Sequence, residues 1–378
     1  MAPLAQHRPT ACIATVIDAN MWRAAAVLVQ QLINVGTALP IVVFNLTTLP
    51  TCAVTLVRSL GAQVTSLDPP MVIPPEFGSK LMGRPFLRSG RPVLSRFAPW
   101  AKLAIWGQTR WSKVVLLDVD VVLLRPIDEM ADMPVDTFSP ETCNSVAPQR
   151  CAATDELTKH TTAGFNAGVM VIGPSTRRFA SMGEFASGHI ARLLRECTNQ
   201  SDAAQVERHY LAYPEQSFLK RYWPTVMRST IEGGRPRNGY DWQWRTYHDS
   251  ELGASCAASS SADAADGCGT TSFMSRLYNA RPYDCSTCAA EYVARVKVVH
   301  YTCSYKPWSR PKDAWARCAG LGDADGEARC GRDVTPCAAN WTMRWHAARD
   351  VVCERARTAG LGSEMDCNRG QSVPVHSL

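Results

Sequence analysis

The chain has 378 residues, 46% of them apolar, enough to fill one large core or one core with a small appendage. Its net charge of +6 is not gathered into any Lys/Arg run, which argues against an electrostatic nucleic-acid footprint. No segment approaches the ~20 consecutive apolar residues that a membrane-spanning helix needs.

The first elements alternate in character. Ala11–Ile17 is apolar and β-branched and predicts a buried strand, followed by helical spacing over Asn20–Ile33. Pro40–Leu46 predicts a second strand, Thr51–Leu60 a second helix and Gln63–Leu67 a third strand. Phe97–Thr109 reads as a helix leading into Lys113–Asp118, a strongly buried strand, and the run VVLLRPID continues as a short strand that Pro126 ends. Thr161–Ile172 has a Gly-rich turn entering a strand, and Ala294–Tyr301 is a late strand. This alternation argues for a mostly parallel sheet covered on both faces. Ser250–Thr271 is rich in Ala, Ser, Asp and Gly and predicts a surface insertion. Beyond Pro311 strand periodicity is lost, and the Cys-rich tail reads as an appendage.

Of 15 cysteines, ten lie between Cys256 and Cys367, a clustering typical of disulfides in an oxidising compartment. Sequons at Asn45, Asn199 and Asn340 are compatible with that. The N-terminus carries no apolar run of signal-peptide length. Two localisations follow: the secretory route (Golgi lumen or secreted) from the cysteines, or the cytoplasm. Cys285 and Cys288 could open a zinc site, but with no second pair at good spacing a disulfide partner elsewhere is the better reading.

The most informative segment is KVVLLDVDVVLLR, in which Asp118 and Asp120 end an intensely apolar strand. On an extended chain residues i and i+2 project to one side, so the two carboxylates would share a face. Carboxylates beside a buried strand are costly unless paired or bound to a cation, and strand carboxyl ends are where open α/β sheets bind ligands. A divalent ion there would bridge the phosphates of a nucleotide diphosphate. A bare Asp-x-Asp also opens ordinary turns. Downstream, VVHYTCSYKPW offers His300 as an imidazole ligand and Lys306 as a point charge for phosphate. Taken singly, these are better read as a core His and an ordinary surface Lys.

Together the two segments resemble glycosyltransferase family 8, the family of glycogenin and galactinol synthase. The resemblance implies a GT-A type nucleotide-sugar-binding fold, a Rossmann-like mixed α/β sheet flanked by helices, over residues 11–310. It leaves a surface insertion at about 225–277 and a Cys-rich extension over 311–378. It implies a retaining hexosyltransferase with manganese, or magnesium, held by Asp118, Asp120 and His300. The donor is expected to be UDP-glucose or UDP-galactose, the acceptor a carbohydrate, polyol or protein; a homo-oligomer is compatible. AKLAIW resembles the family's Lys-Leu helix and gives Lys102 a donor contact. FNAG, PEQSFL and LYNAR resemble further family motifs and give Asn166, Glu215, Gln216 and Asn279 polar contacts to the hexose. Glu215 and Gln216 are the catalytic candidates. Trp22 matches a position near the base, where it would stack or simply pack. Val16, Val119, Ala167, Cys303 and Lys306 complete the donor-facing set that the resemblance implies.

The chain departs from the family where Cys303 replaces a Gly and Glu215 the commoner Asp. Ser286 stands where glycogenin has its self-glucosylated tyrosine, so self-glucosylation is not implied, although Tyr283 is near. Two alternatives keep the fold without the chemistry: an inactive nucleotide-sugar-binding protein, and a disulfide-stapled interaction protein.

Overall fold

The computed structural model describes residues 11–67, 101–140, 165–196, 218–219, 222, 272–274, 276–282, 290–302, 306–319, 336–365 and 367. Glu215, Gln216, Tyr283, Cys285, Ser286, Cys288, Cys303, the Asn199 sequon and nearly all of the expected insertion lie outside these residues.

The first half follows the predicted alternation. Strand β1 (Ala11–Ile17), helix α1 (Trp22–Asn34), β2 (Ile41–Asn45), α2 (Thr51–Ser59) and β3 (Gln63–Ser66) lead to β4 (Lys113–Leu117). Strands β1 to β4 are parallel, in the spatial order 3-2-1-4. The sheet then turns antiparallel: β7 (Phe165–Ile172) pairs with β4, and β6 (Thr137–Pro140) pairs with β7. At its far edge β8 (Ser272–Phe273) runs parallel to β6. The result is a mixed α/β sheet, with the order reversing between β1 and β4. That reversal opens a crevice at the strand carboxyl ends, where ligands of such sheets bind.

Both sheet faces are dry, which is why the strands read as continuous apolar runs. Ile13, Val43, Val115 and Leu117 enter the core beneath α1 and α2, while Ala14, Val42, Val114 and Leu116 enter the opposite one. The second face is covered by residues 101–107 and by α3 (Thr176–Glu196). Of the expected Phe97–Thr109 helix, residues 101–107 form a tighter 3-10 helix. Its anchor is Asp136, a non-glycine at φ 56, which accepts Trp106 Nε1–H at 3.1 Å and pairs with Arg178 of α3.

A second, two-stranded sheet joins β5 (Val121–Leu123) to β9 (Val298–His300). The expected strand Ala294–Tyr301 is shorter because a helix, α4 (Ala290–Arg295), occupies its first residues. Gln31, buried in α1, secures β5 by accepting Leu123 N–H at 3.0 Å and donating to the Val121 carbonyl at 3.3 Å.

The C-terminal portion is helical: α5 (Lys312–Ala319) packs on α6 (Pro336–Thr358), and α6 packs on α1. Trp341, Trp345, Ala348, Val352 and Ala356 of α6 join the same core as β1 and α1. Cys353 and Cys367 form a disulfide, and Cys318 and Cys337 are disulfide-bonded too, whereas Cys12 and Cys52 are free. Among the described residues, no helix is long and apolar enough to cross a membrane.

Candidate functional site

Asp118 is the first residue after β4, and its N–H donates to the Gly168 carbonyl at 2.8 Å. Asp118–Asp120 is a turn between β4 and β5 and not an extended strand, so the i, i+2 argument does not apply. What brings His300 to the two carboxylates is the pairing of β9 with β5: Val121 pairs with His300, and Tyr301 N–H donates to the Asp120 carbonyl at 3.0 Å. His300 Nε2 thereby lies 3.1 Å from Asp120 Oδ1 and 3.8 Å from Asp118 Oδ2. One ligand atom from each of Asp118, Asp120 and His300 falls within 4.8 Å of the others. A late-sequence imidazole thus converges with the two carboxylates of one turn.

The donor set fits a divalent cation. Asp120 and His300 are buried, and Asp120 Oδ1 has no hydrogen-bond partner, an orphaned oxygen that water or protein would otherwise satisfy. Two oxygens and one imidazole nitrogen suit manganese or another first-row ion. Burial alone would push the Asp120 carboxyl up, but the Lys306 ammonium beside it outweighs burial and holds the carboxyl well below the ordinary carboxylate range.

Each carboxylate also has a lysine. Lys102 Nζ lies 2.6 Å from Asp118 Oδ1, and Lys306 Nζ lies 2.5 Å from Asp120 Oδ2. Lys306 donates as well to the Tyr301 carbonyl at 2.6 Å. Both lysines are thus committed to carboxylates in this structure. The C-terminal helix holds this wall: Tyr301 hydroxyl bonds Thr342, and the Trp308 and Trp345 rings sit 5.9 Å apart.

The remaining sequence candidates divide. Asn166 is buried, and its Oδ1 accepts the Gly168 N–H at 2.9 Å, closing a bulge where β6 shifts register against β7. Ala167 is buried behind it, and Val119 is buried in the Asp118–Asp120 turn. Val16 is half-buried near the end of β1. Asn279, expected to face the hexose, places Oδ1 2.9 Å from His300 Nδ1. Trp22, read from sequence as stacking on the base or packing, is 3% exposed and packs in the core, with Arg23 stacked on it at 4.7 Å. Its helix explains that: α1 is buried without a break from Ala24 to Leu32, and Trp22 at its start is buried with it.

Sequence reasoning missed Glu129, which accepts the Tyr278 hydroxyl at 2.8 Å and pairs with Lys297. It also missed the reason for the Gly in FNAG, since only the fold shows that Gly168 faces His300.

The model of the family described as glycosyl transferase family 8 matches residues 12–199, which include Lys102, Asp118, Asp120 and Asn166. Among solved structures, the chain is similar to the galactosyltransferase LgtC in complex with donor and acceptor sugar analogs. That similarity stands at 15% identity and a TM-score of 0.45, over 92% of this chain and 99% of that one. It is also similar to the glycosyltransferase GlyE of Streptococcus pneumoniae TIGR4, at 12% identity and a TM-score of 0.43, over 93% of this chain and 64% of that one. No curated protein matches the chain.

Proposed function

The chain belongs to glycosyl transferase family 8 through residues 12–199, and from that premise we propose that it moves a hexose from a UDP-sugar to an acceptor with retention of anomeric configuration. The family makes it a glycosyltransferase acting on a nucleotide sugar. The finer reading is carried by one observation, the convergence of Asp118, Asp120 and His300 at the crevice end of β4.

In this reading Asp118, Asp120 and His300 hold manganese. Bound there, the ion supplies charge neutralisation to the departing diphosphate. The chain's own residues supply the rest. Lys102 and Lys306 now balance the carboxylates, one ammonium to each. With a cation on Asp118, Asp120 and His300, Lys102 and Lys306 would turn to the phosphates and stabilise the charge that develops on the leaving group. Diphosphate and cation would therefore favour each other's binding.

Retention follows from attack on the face the diphosphate leaves, with a leaving phosphate oxygen taking the acceptor's proton. Glu215 and Gln216 are the candidates to stabilise the sugar cation or, for Glu215, to attack it. Residues 11–310 are the catalytic unit in this reading, and α6 of the extension buttresses Tyr301 and Trp308. The disulfides of that extension support action in the secretory pathway.

The test is incubation with UDP-glucose and UDP-galactose, with and without Mn2+, following UDP release and sugar transfer. Metal-dependent UDP release supports the proposal. Donor binding without release in any metal would instead indicate an inactive nucleotide-sugar-binding protein.

A further inference from the structure

We propose that Asn279 is a positioning residue of the metal centre: its amide oxygen fixes the proton of His300 on Nδ1 and so turns the Nε2 lone pair towards Asp118 and Asp120. This inference rests on the divalent-cation reading of the site, and it moves Asn279 from the donor's hexose to the metal ligand behind it.

His300 and Asn279 are 3% and 2% exposed, so water does not mediate between them. Asn279 Oδ1 lies 2.9 Å from His300 Nδ1. An amide oxygen only accepts, so the imidazole must donate from Nδ1. A neutral ring with Nδ1–H has its lone pair on Nε2, and Nε2 is the atom facing the two carboxylates. A lone pair aimed at two carboxylates is unfavourable until a cation lies between them. The hydrogen bond therefore selects the tautomer that binds metal over the one that would donate to Asp120.

The backbone keeps Asn279 in place. Ala280 N–H donates to the Val298 carbonyl at 3.0 Å, and His300 N–H donates to the Ala280 carbonyl at 2.7 Å. The segment carrying the amide is thus stapled to the strand carrying the imidazole. On the other side of the ring Gly168 offers no side chain. The imidazole has one orientation, and Asn279 decides which nitrogen carries the proton.

The experiment compares Mn2+ uptake, in the presence of UDP, by the wild-type chain, Asn279→Leu and Asn279→Asp, read from the loss of the free-Mn2+ electron paramagnetic resonance signal. Leu keeps the volume and removes the acceptor, whereas Asp restores an acceptor. Expected are one bound ion in the wild type, a roughly 10–100-fold weaker affinity in N279L, and rescue in N279D. Equal affinity in wild type and N279L overturns the inference. Nitrogen NMR of the metal-free wild type gives a second arm that does not depend on a variant folding. A His300 proton on Nδ1 supports the assignment, and a proton on Nε2 overturns it. A wild-type chain that takes up no Mn2+ would instead overturn the metal reading itself.

Discussion

A methyl group on the Cα of Gly168 would sit 2.0 Å from Cε1 of His300, closer than any two such atoms can approach. The glycine is therefore a steric requirement of the imidazole, and the register shift at Asn166–Val169 brings it there.

Gly168→Ala must push His300 away from Asp120. Overpacking of this kind costs about 1–3 kcal/mol in a dense core. The expected outcome is a lower unfolding midpoint in urea, together with at least a tenfold weaker Mn2+ affinity. Unchanged metal affinity in a folded G168A chain would show that the imidazole is not a ligand.

Lys306→Met removes the ammonium that balances buried Asp120. Breaking one partner of such a pair costs about 3–5 kcal/mol when it is fully buried, and less here because Lys306 keeps some contact with solvent. A bound cation replaces the lost charge. Differential scanning calorimetry should therefore show a lower Tm for K306M in chelator and a larger gain on adding Mn2+ than the wild type shows. Equal gains in both chains would argue that the cation does not bind at Asp120.

Sequence reasoning reached the parallel half of the fold because β1, β2 and β4 are buried on both faces and so write apolar runs such as Val114–Leu117. It reached Asp118, Asp120 and His300 because ionisable residues at the ends of such strands have no packing purpose. It left Trp22 between the base and the core, and gave Asn279 a sugar contact, because family motifs record identity and not direction. Only tertiary contacts show that Trp22 packs in the core and that the Asn279 amide oxygen meets His300. The long helix α6 went unread behind its cysteines, although Trp341, Trp345, Ala348, Val352 and Ala356 repeat at helical spacing and would have revealed it.

That helix carries a pH-sensitive residue. His346 is 1% exposed, and neither ring nitrogen makes a hydrogen bond of normal geometry. Burial, reinforced by Arg349, pushes its pKa down from 6.5 to about 4; Asp350 opposes the shift, Lys312 adds to it, and the Pro307 backbone offsets it weakly. Because the folded pKa is depressed, the unfolded chain binds the proton first. The contribution is fully present above about pH 6.5 and is lost as pH falls towards 4, on the order of 3 kcal/mol in all. His346→Leu should flatten the slope of urea stability against pH across that window and cost little at pH 7.5. Parallel slopes in the two chains would contradict this assignment.

If Asp118, Asp120 and His300 hold one divalent ion that grips a diphosphate, Mn2+ and UDP must favour each other's binding. Isothermal titration of Mn2+ into the chain, with and without UDP, measures that coupling. Expected are one ion per chain, an affinity raised at least tenfold by UDP, and the loss of both in the Asp118→Asn, Asp120→Asn double variant. Mn2+ binding that is indifferent to UDP, or that survives in the double variant, would contradict this metal site.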